Sequence, residues 1–183
     1  LVRAKNSGIK VSVIHNSSIL SCLPGQTGLH AYKFGRTVTI TNESAPKIAT
    51  VYHAVYDNLT RGLHTTVLVE FIANQEDNLT PGNVLKYFLE SEKDYKLGVF
   101  VDEAFLIVSS RVGNKNQSII GGPISKIVSL DYGSPPYTIV IPGSLHFSER
   151  ESLQSLLDEM FGELVENSSH VTQMSAFMVK RYT

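Results

Sequence analysis

The sequence predicts an α/β fold, and three observations carry that prediction. Short β-branched or apolar runs alternate with amphipathic helical patterns along the chain. Gly and Pro punctuate most junctions between them. No internal repeat and no low-complexity block interrupts the alternation.

Taken in order, Leu1–Gly8 reads as the last turns of a helix with Gly8 as its C-cap. The chain starts on Leu1 rather than Met, so the expectation is a fragment whose preceding segment is missing. Val11-Ser12-Val13-Ile14 predicts a strand over 10–15. Asn16, Ser17 or Ser18 can cap a short helix over 17–23, which Pro24-Gly25 and Gly28 break. A strand that stops at a helix N-terminus presents free backbone N–H groups, a common setting for a polar ligand. Tyr32-Lys33-Phe34-Gly35 then leads into a strand over 37–41. Ser44 caps the next helix, with Pro46 in its first turn. Ile48, Val51, Tyr52, Val55 and Leu59 follow helical spacing, and Gly62 ends that helix.

Residues 65–72 form a nearly continuous apolar strand, as a covered position requires. Thr80-Pro81 opens a helix with Val84, Leu85, Phe88 and Leu89 on one face. A buried strand over 104–109 ends in the Arg111-Val112-Gly113 turn. Gly121-Gly122-Pro123 is a helix-entry turn before a short helix to about Leu130. A strand over 137–141 follows, and Ser148 with Glu151 makes a capping box for a helix carrying Leu153, Leu156, Leu157, Met160, Phe161 and Leu164. The stretch from Asn167 to Thr183 is polar, with no clear element. A domain boundary is placed near Gly35-Arg36, giving units 1–36 and 37–183.

Composition narrows the function. The 183 residues include 42% hydrophobic ones, enough to bury a sizeable core. A net charge of −1 leaves no basic footprint for nucleic acid or an anionic membrane. Cys22, the single cysteine, excludes an intramolecular disulfide and fits a reducing, cytoplasmic setting. No apolar run is long enough to span a bilayer. The six histidines, His15, His30, His53, His64, His146 and His170, show no metal-ligand spacing and read as polar anchors at strand ends. Ser17, Ser18 and Ser144 lack a nucleophile elbow, and Gly121-Gly122-Pro123 lacks the Lys-Ser/Thr of a phosphate loop. Glu149, Glu151, Asp158, Glu159 and Glu163 read as the solvated face of one helix. No catalytic residue is identified.

Four sets of residues nevertheless form an ordered pattern. They are Ile14-His15-Asn16-Ser17-Ser18-Ile19 with Thr27-Gly28-Leu29-His30-Ala31-Tyr32-Lys33-Phe34-Gly35; Arg61-Gly62-Leu63-His64-Thr65; Ser110-Arg111-Val112-Gly113; and Asp131-Tyr132-Gly133-Ser134-Pro135-Pro136 running into Ile141-Pro142-Gly143-Ser144-Leu145-His146. Together they closely resemble the diphthine synthases, archaeal branch, which are tetrapyrrole-methylase-like methyltransferases. The match runs over roughly residues 1–160.

The resemblance implies a tetrapyrrole-methylase-like α/β fold: the end of an N-terminal parallel α/β domain, then a C-terminal α/β domain with a mixed sheet. It implies S-adenosylmethionine as methyl donor and S-adenosylhomocysteine as product. The acceptor would be the amino group of the modified histidine of elongation factor 2, in diphthamide biosynthesis, and the enzyme a homodimer. Carried over residue by residue, the cofactor contacts are Ser18, Ile19, Val69, Val112 and Tyr137. Tyr137 departs from the pattern, since archaeal relatives tend to carry histidine there. The family's Gly-rich first strand end and its Gly-Asp-Pro motif have no counterpart in this sequence, so the expectation is weak binding of the cofactor by this chain alone. Silence about catalytic groups suits methyl transfer, because the sulfonium carries the activated methyl and the protein's work is orientation and exclusion of water. The rival readings are a tetrapyrrole (precorrin or uroporphyrinogen) methylase and a non-catalytic binding or dimerisation module.

Overall fold

A computed structural model describes residues 1–161 except 15, 46, 47 and 76, with side chains in the last helix described up to Leu156. The elements are α1 (Val2–Asn6), α2 (Ile19–Thr27), β1 (Val38–Ile40), α3 (Ala49–Thr60), β2 (Thr65–Val69), α4 (Pro81–Tyr95), β3 (Phe105–Ser110), β4 (Ser118–Pro123), α5 (Ile124–Ile127), β5 (Tyr137–Ile141) and α6 (Phe147–Phe161). The strands form one five-stranded sheet in the order β1-β2-β5-β3-β4. β1 and β2 are parallel, whereas β2/β5, β5/β3 and β3/β4 are antiparallel, so the sheet is mixed.

Strand periodicity divides the core into two layers. Leu106 and Val108 of β3, with Ile139 and Ile141 of β5, face the layer formed by Val51, Tyr52, Val55 and Leu59 of α3 and Val84, Leu85 and Phe88 of α4. The alternate residues Phe105, Ile107 and Val140 face Leu23 of α2, Leu29 and Leu153 of α6. Both faces being covered explains why β3 and β5 read as unbroken apolar runs, buried at every position.

Several local expectations change. Residues 10–14 are exposed and belong to no strand; their alternation has no ladder beside it among the described residues, and His15 lies outside them. Ser18 is the N-cap of α2, as the sequence allowed: its hydroxyl accepts from the Leu20 amide, and Ser21 completes a capping box. Pro24 does not end that helix. Its fixed φ is helical, so α2 runs on to Thr27, where Gly28 stops it in the left-handed region at φ 69. Ser44 does not cap α3. It exchanges hydrogen bonds with Thr41 in a tight turn, and the helix begins at Ala49; Pro46 is outside the described residues. β2 stops at Val69 rather than 72, where the chain turns out and Asn78 ties Ile72 and Gln75 together.

Gly121-Gly122-Pro123 is not simply a helix-entry turn. It completes β4, paired antiparallel with β3 at the sheet edge, where glycine and proline are tolerated. The Ser148/Glu151 box is displaced upstream: the His146 backbone N–H donates to Glu149, three residues on, while the Arg150 N–H bonds the His146 carbonyl. The reading of residues 167–183 lies outside the described residues, as do the contacts of Leu157, Met160, Phe161 and Leu164.

Candidate functional site

Three of the five sequence-derived contacts meet at one end of the sheet. Val69 closes β2, Tyr137 opens β5, and Val112 follows the end of β3 by two residues. The register places these ends side by side: Leu68 opposes Thr138, and Ser110 opposes Tyr137. Val69 and Tyr137 are both 7% exposed and share the α3/α4 face. The Tyr137 hydroxyl donates to the Gly133 carbonyl, and burial raises its pKa. Its free lone pair can accept from a ligand but its proton is already committed.

The polar groups at this end are unusual. The buried side-chain polar atoms without a partner among the described residues are Asn42 Nδ2, Ser109 Oγ and Ser110 Oγ. Asn42 lies two residues beyond β1, and Ser109 and Ser110 close β3, so all three belong to the same sheet end as Val69 and Tyr137. A buried polar group left unpaired costs about 1–3 kcal/mol; by strand alternation Ser110 shares the Val69 and Tyr137 face, and Ser109 points to the other. Glu70, next to Val69, accepts the Asn42 backbone N–H at 3.0 Å.

Arg111 joins two of the loops here. It sits in the left-handed region at φ 52, costing about 1–2 kcal/mol for a residue with a Cβ. Its guanidinium donates to the carbonyls of Asn116 at 2.9 Å, Tyr132 at 3.1 Å and Ser134, and its backbone N–H donates to Pro136 at 3.0 Å.

Ser18 and Ile19 stand apart from this group. They start α2, with Ser18 exposed and Ile19 against the α2/α6 layer, on the opposite face of the sheet from Val69 and Tyr137. The opposite end of α2 is the one tied to the β3–β4 turn, through Gln26 and Gln117 at 3.2 Å. A helix of nine residues is about 13 Å long, so the N-terminus is set well back from that tie.

The main residue missed in the sequence is Glu149. The helical pattern predicts a solvated position for it, yet it is 0% exposed, because partners remote in sequence cover it. Its carboxylate accepts from Lys33 Nζ at 2.5 Å, from the backbone N–H groups of His30 and His146 at 2.7 Å each, and from His64 Nε2 at 2.9 Å. Burial alone would raise this carboxyl; the hydrogen bonds from Lys33, His30, His146 and His64 outweigh it and hold the pKa at about 2. His64 is also 0% exposed and accepts the Gly143 N–H on Nδ1 at 2.8 Å. Its pKa is lowered, burial being the largest cause, although Glu149 acts in the other direction. The signal is present in the motifs themselves: His30, Lys33, His64 and His146 come from three of the four segments and converge on this one carboxylate, with Gly143 bonded behind His64.

Glu149 belongs to the opposite end of the sheet from Val69, since Thr65 pairs with Ile141 there. It ties the start of β2, the end of β5, the segment 30–33 and α6 together. Among the described residues no group of three or more His, Cys, Asp and Glu could hold a metal ion, and no helix is long and apolar enough to cross a membrane.

No protein-family model matches the chain. It is 38% identical over 161 residues to the diphthine synthase of Methanosphaera stadtmanae, covering 86% of this chain and 60% of that protein. With the diphthine synthase of Methanocaldococcus jannaschii it shares 35% identity over 162 residues, covering 87% of this chain and 63% of that protein. A solved structure from Entamoeba histolytica, described provisionally as a diphthine synthase, superposes with a TM-score of 0.75 at 29% identity, covering 85% of this chain and 63% of that one. A solved diphthine synthase gives a TM-score of 0.72 at 22% identity over 85% of this chain and 57% of its own. The chain thus spans about three-fifths of the length of the curated relatives it matches. Its fold is that of the solved diphthine synthases, the tetrapyrrole-methylase-like α/β architecture with a mixed sheet.

Proposed function

We propose that this relative of the diphthine synthases serves S-adenosylmethionine-dependent methyl transfer, with the donor held where the ends of β2 and β3 meet the start of β5. The observation that carries the reading is the coincidence of two independent features at one sheet end. One is the adjacency of Val69, Val112 and Tyr137. The other is the unpaired Ser110 hydroxyl at that end, on the same face of the sheet as Val69 and Tyr137, with the unpaired Asn42 amide just beyond β1.

An adenosine-containing ligand needs apolar walls for its base and a few placed hydrogen-bonding groups, and this end of the sheet offers both. The bound donor supplies a methyl group activated on a sulfonium. Val69 and the Tyr137 ring provide an apolar wall, Val112 a second contact from the β3 turn, and the Ser110 hydroxyl and Asn42 amide hydrogen bonds. Ser18 and Ile19 are further contacts on the strength of the resemblance alone. The acceptor in this reading is the amino group of the modified histidine of elongation factor 2, in the route to diphthamide, and the working form is a cytoplasmic homodimer. The amine attacks as the free base, the methyl leaves the sulfonium for the nitrogen, and the proton then shed goes to solvent.

A transfer assay tests the reading. Radiolabelled S-adenosylmethionine is incubated with the protein and either elongation factor 2 carrying the 3-carboxyl-3-aminopropyl histidine or uroporphyrinogen. Label is expected in the elongation factor; label in the tetrapyrrole would overturn the acceptor.

A further inference from the structure

We infer that Arg111 is a positioning residue for the methyl-donor site, fixing the loop of Val112 against the loop of Tyr137; this rests on the function proposed above. The two loops come from different parts of the chain. Residues 111–117 turn from β3 into β4, and residues 131–136 lead into β5. Arg111 bonds both. Its Nε–H donates to Asn116 within its own turn, Nη1 donates to Tyr132 and Ser134 in the other loop, and its backbone N–H donates to Pro136.

The surroundings are built around the guanidinium. Gly133 packs so closely that a Cβ there would stand 2.8 Å from Nη1. Asp131 folds the loop beneath it by accepting the Gly133 N–H at 2.8 Å. Tyr137 closes the arrangement by donating its hydroxyl to the Gly133 carbonyl. The Arg111 partners are all carbonyl oxygens, and no carboxylate lies within ion-pair distance among the described residues. What the site uses is the planar fork of donors, which a lysine cannot reproduce. The left-handed backbone of Arg111 aims that fork across the gap, and Val112, the next residue, takes its direction from it.

The test compares the protein with Arg111→Lys and Arg111→Ala. Three quantities are read: the dissociation constant for S-adenosylhomocysteine, the KM values for S-adenosylmethionine and elongation factor 2, and amide hydrogen exchange over 111–117 and 131–137. Both variants are expected to weaken S-adenosylhomocysteine about tenfold and to raise the donor KM by a similar factor. The elongation-factor KM should stay unchanged, and faster exchange should be confined to the two loops. A fall in kcat with both KM values unchanged would mean a smaller folded fraction and would overturn the inference, as would full rescue by lysine. Should the unaltered protein fail to bind S-adenosylhomocysteine, the proposed function fails. Exchange then still decides the clamp: loop-confined acceleration supports it, and unchanged or uniform exchange overturns it.

Discussion

His64 and Glu149, 85 positions apart, meet at 2.9 Å with both side chains fully buried. The Gly143 N–H occupies His64 Nδ1, so Nε2 carries the ring proton and donates it to the carboxylate. Lys33 supplies the compensating positive charge. This knot ties the start of β2, the end of β5, the segment 30–33 and α6 together, and it leaves the opposite sheet end as the one with unsatisfied polar groups.

Removing the carboxylate should be costly. Glu149→Ala leaves the partly buried Lys33 ammonium with only the Ser144 carbonyl and strands a buried imidazole N–H, and breaking a buried pair costs about 3–5 kcal/mol. Urea unfolding should show a loss of that order. A loss under about 1 kcal/mol would mean that the knot is replaceable by water.

Acid should weaken the fold in two stages, both with the same sign. His64 has a lowered pKa in the folded chain, so the unfolded chain binds the extra proton first, and stability falls as pH drops below the ordinary histidine value of 6.5. Glu149 is lowered from 4.5 to about 2, so its contribution is complete above 4.5 and drains away as pH falls toward 2. Thermal melts from pH 7 to pH 3 should show a monotonic decline. In Glu149→Gln the decline below 4.5 should be shallower, and an unchanged slope there would contradict the assignment.

Two glycines of one helix should respond in opposite ways. Gly28 has φ 69, and a Cβ there would stand 2.2 Å from Ser152 Cβ, so Gly28→Ala combines a left-handed backbone with overpacking against α6. The expected loss is at least about 2 kcal/mol. Gly25 is helical with nothing within 4 Å of its virtual Cβ, so Gly25→Ala should stabilise by about 0.5–1 kcal/mol. Equal effects in denaturant titrations would refute the placement of α2 against α6.

Ser110→Ala should separate stability from binding. The hydroxyl is fully buried and unpaired, so its removal should leave the ligand-free chain as stable as before or more so, by up to about 1 kcal/mol. If the hydroxyl serves the ligand, S-adenosylhomocysteine binding should weaken several-fold in calorimetry. Unchanged affinity would remove Ser110 from the site.

Much of this was legible in the sequence, for identifiable reasons. β3, β5, α3 and α4 announced themselves because a strand covered on both faces is uniformly apolar and a helix covered on one is periodic. The motif carrying Val112 and those flanking Val69 and Tyr137 could be found, but the adjacency of these residues depends on an antiparallel return of β5 between β2 and β3 that no local pattern encodes. β4 escaped because Gly121, Gly122 and Pro123 read as a turn, and the edge position that admits them is a tertiary fact. Of the strand expected over 10–15, residues 10–14 form none for the converse reason: among the described residues no strand lies beside them, and alternation alone makes no ladder. Glu149 looked solvated because its burial comes from Lys33 and His64, both remote in sequence.

The central claim is that the methyl donor sits where the ends of β2 and β3 meet the start of β5, and nuclear magnetic resonance tests it even if affinity is low. The protein, labelled at valine methyls and backbone amides, is titrated with S-adenosylhomocysteine. The account predicts saturable shifts at the Val69 and Val112 methyls and at the Ser110 and Tyr137 amides, with His64 and Glu149 unmoved. Shifts centred on His30, His64 and His146, or none at the strand ends at saturation, would contradict it.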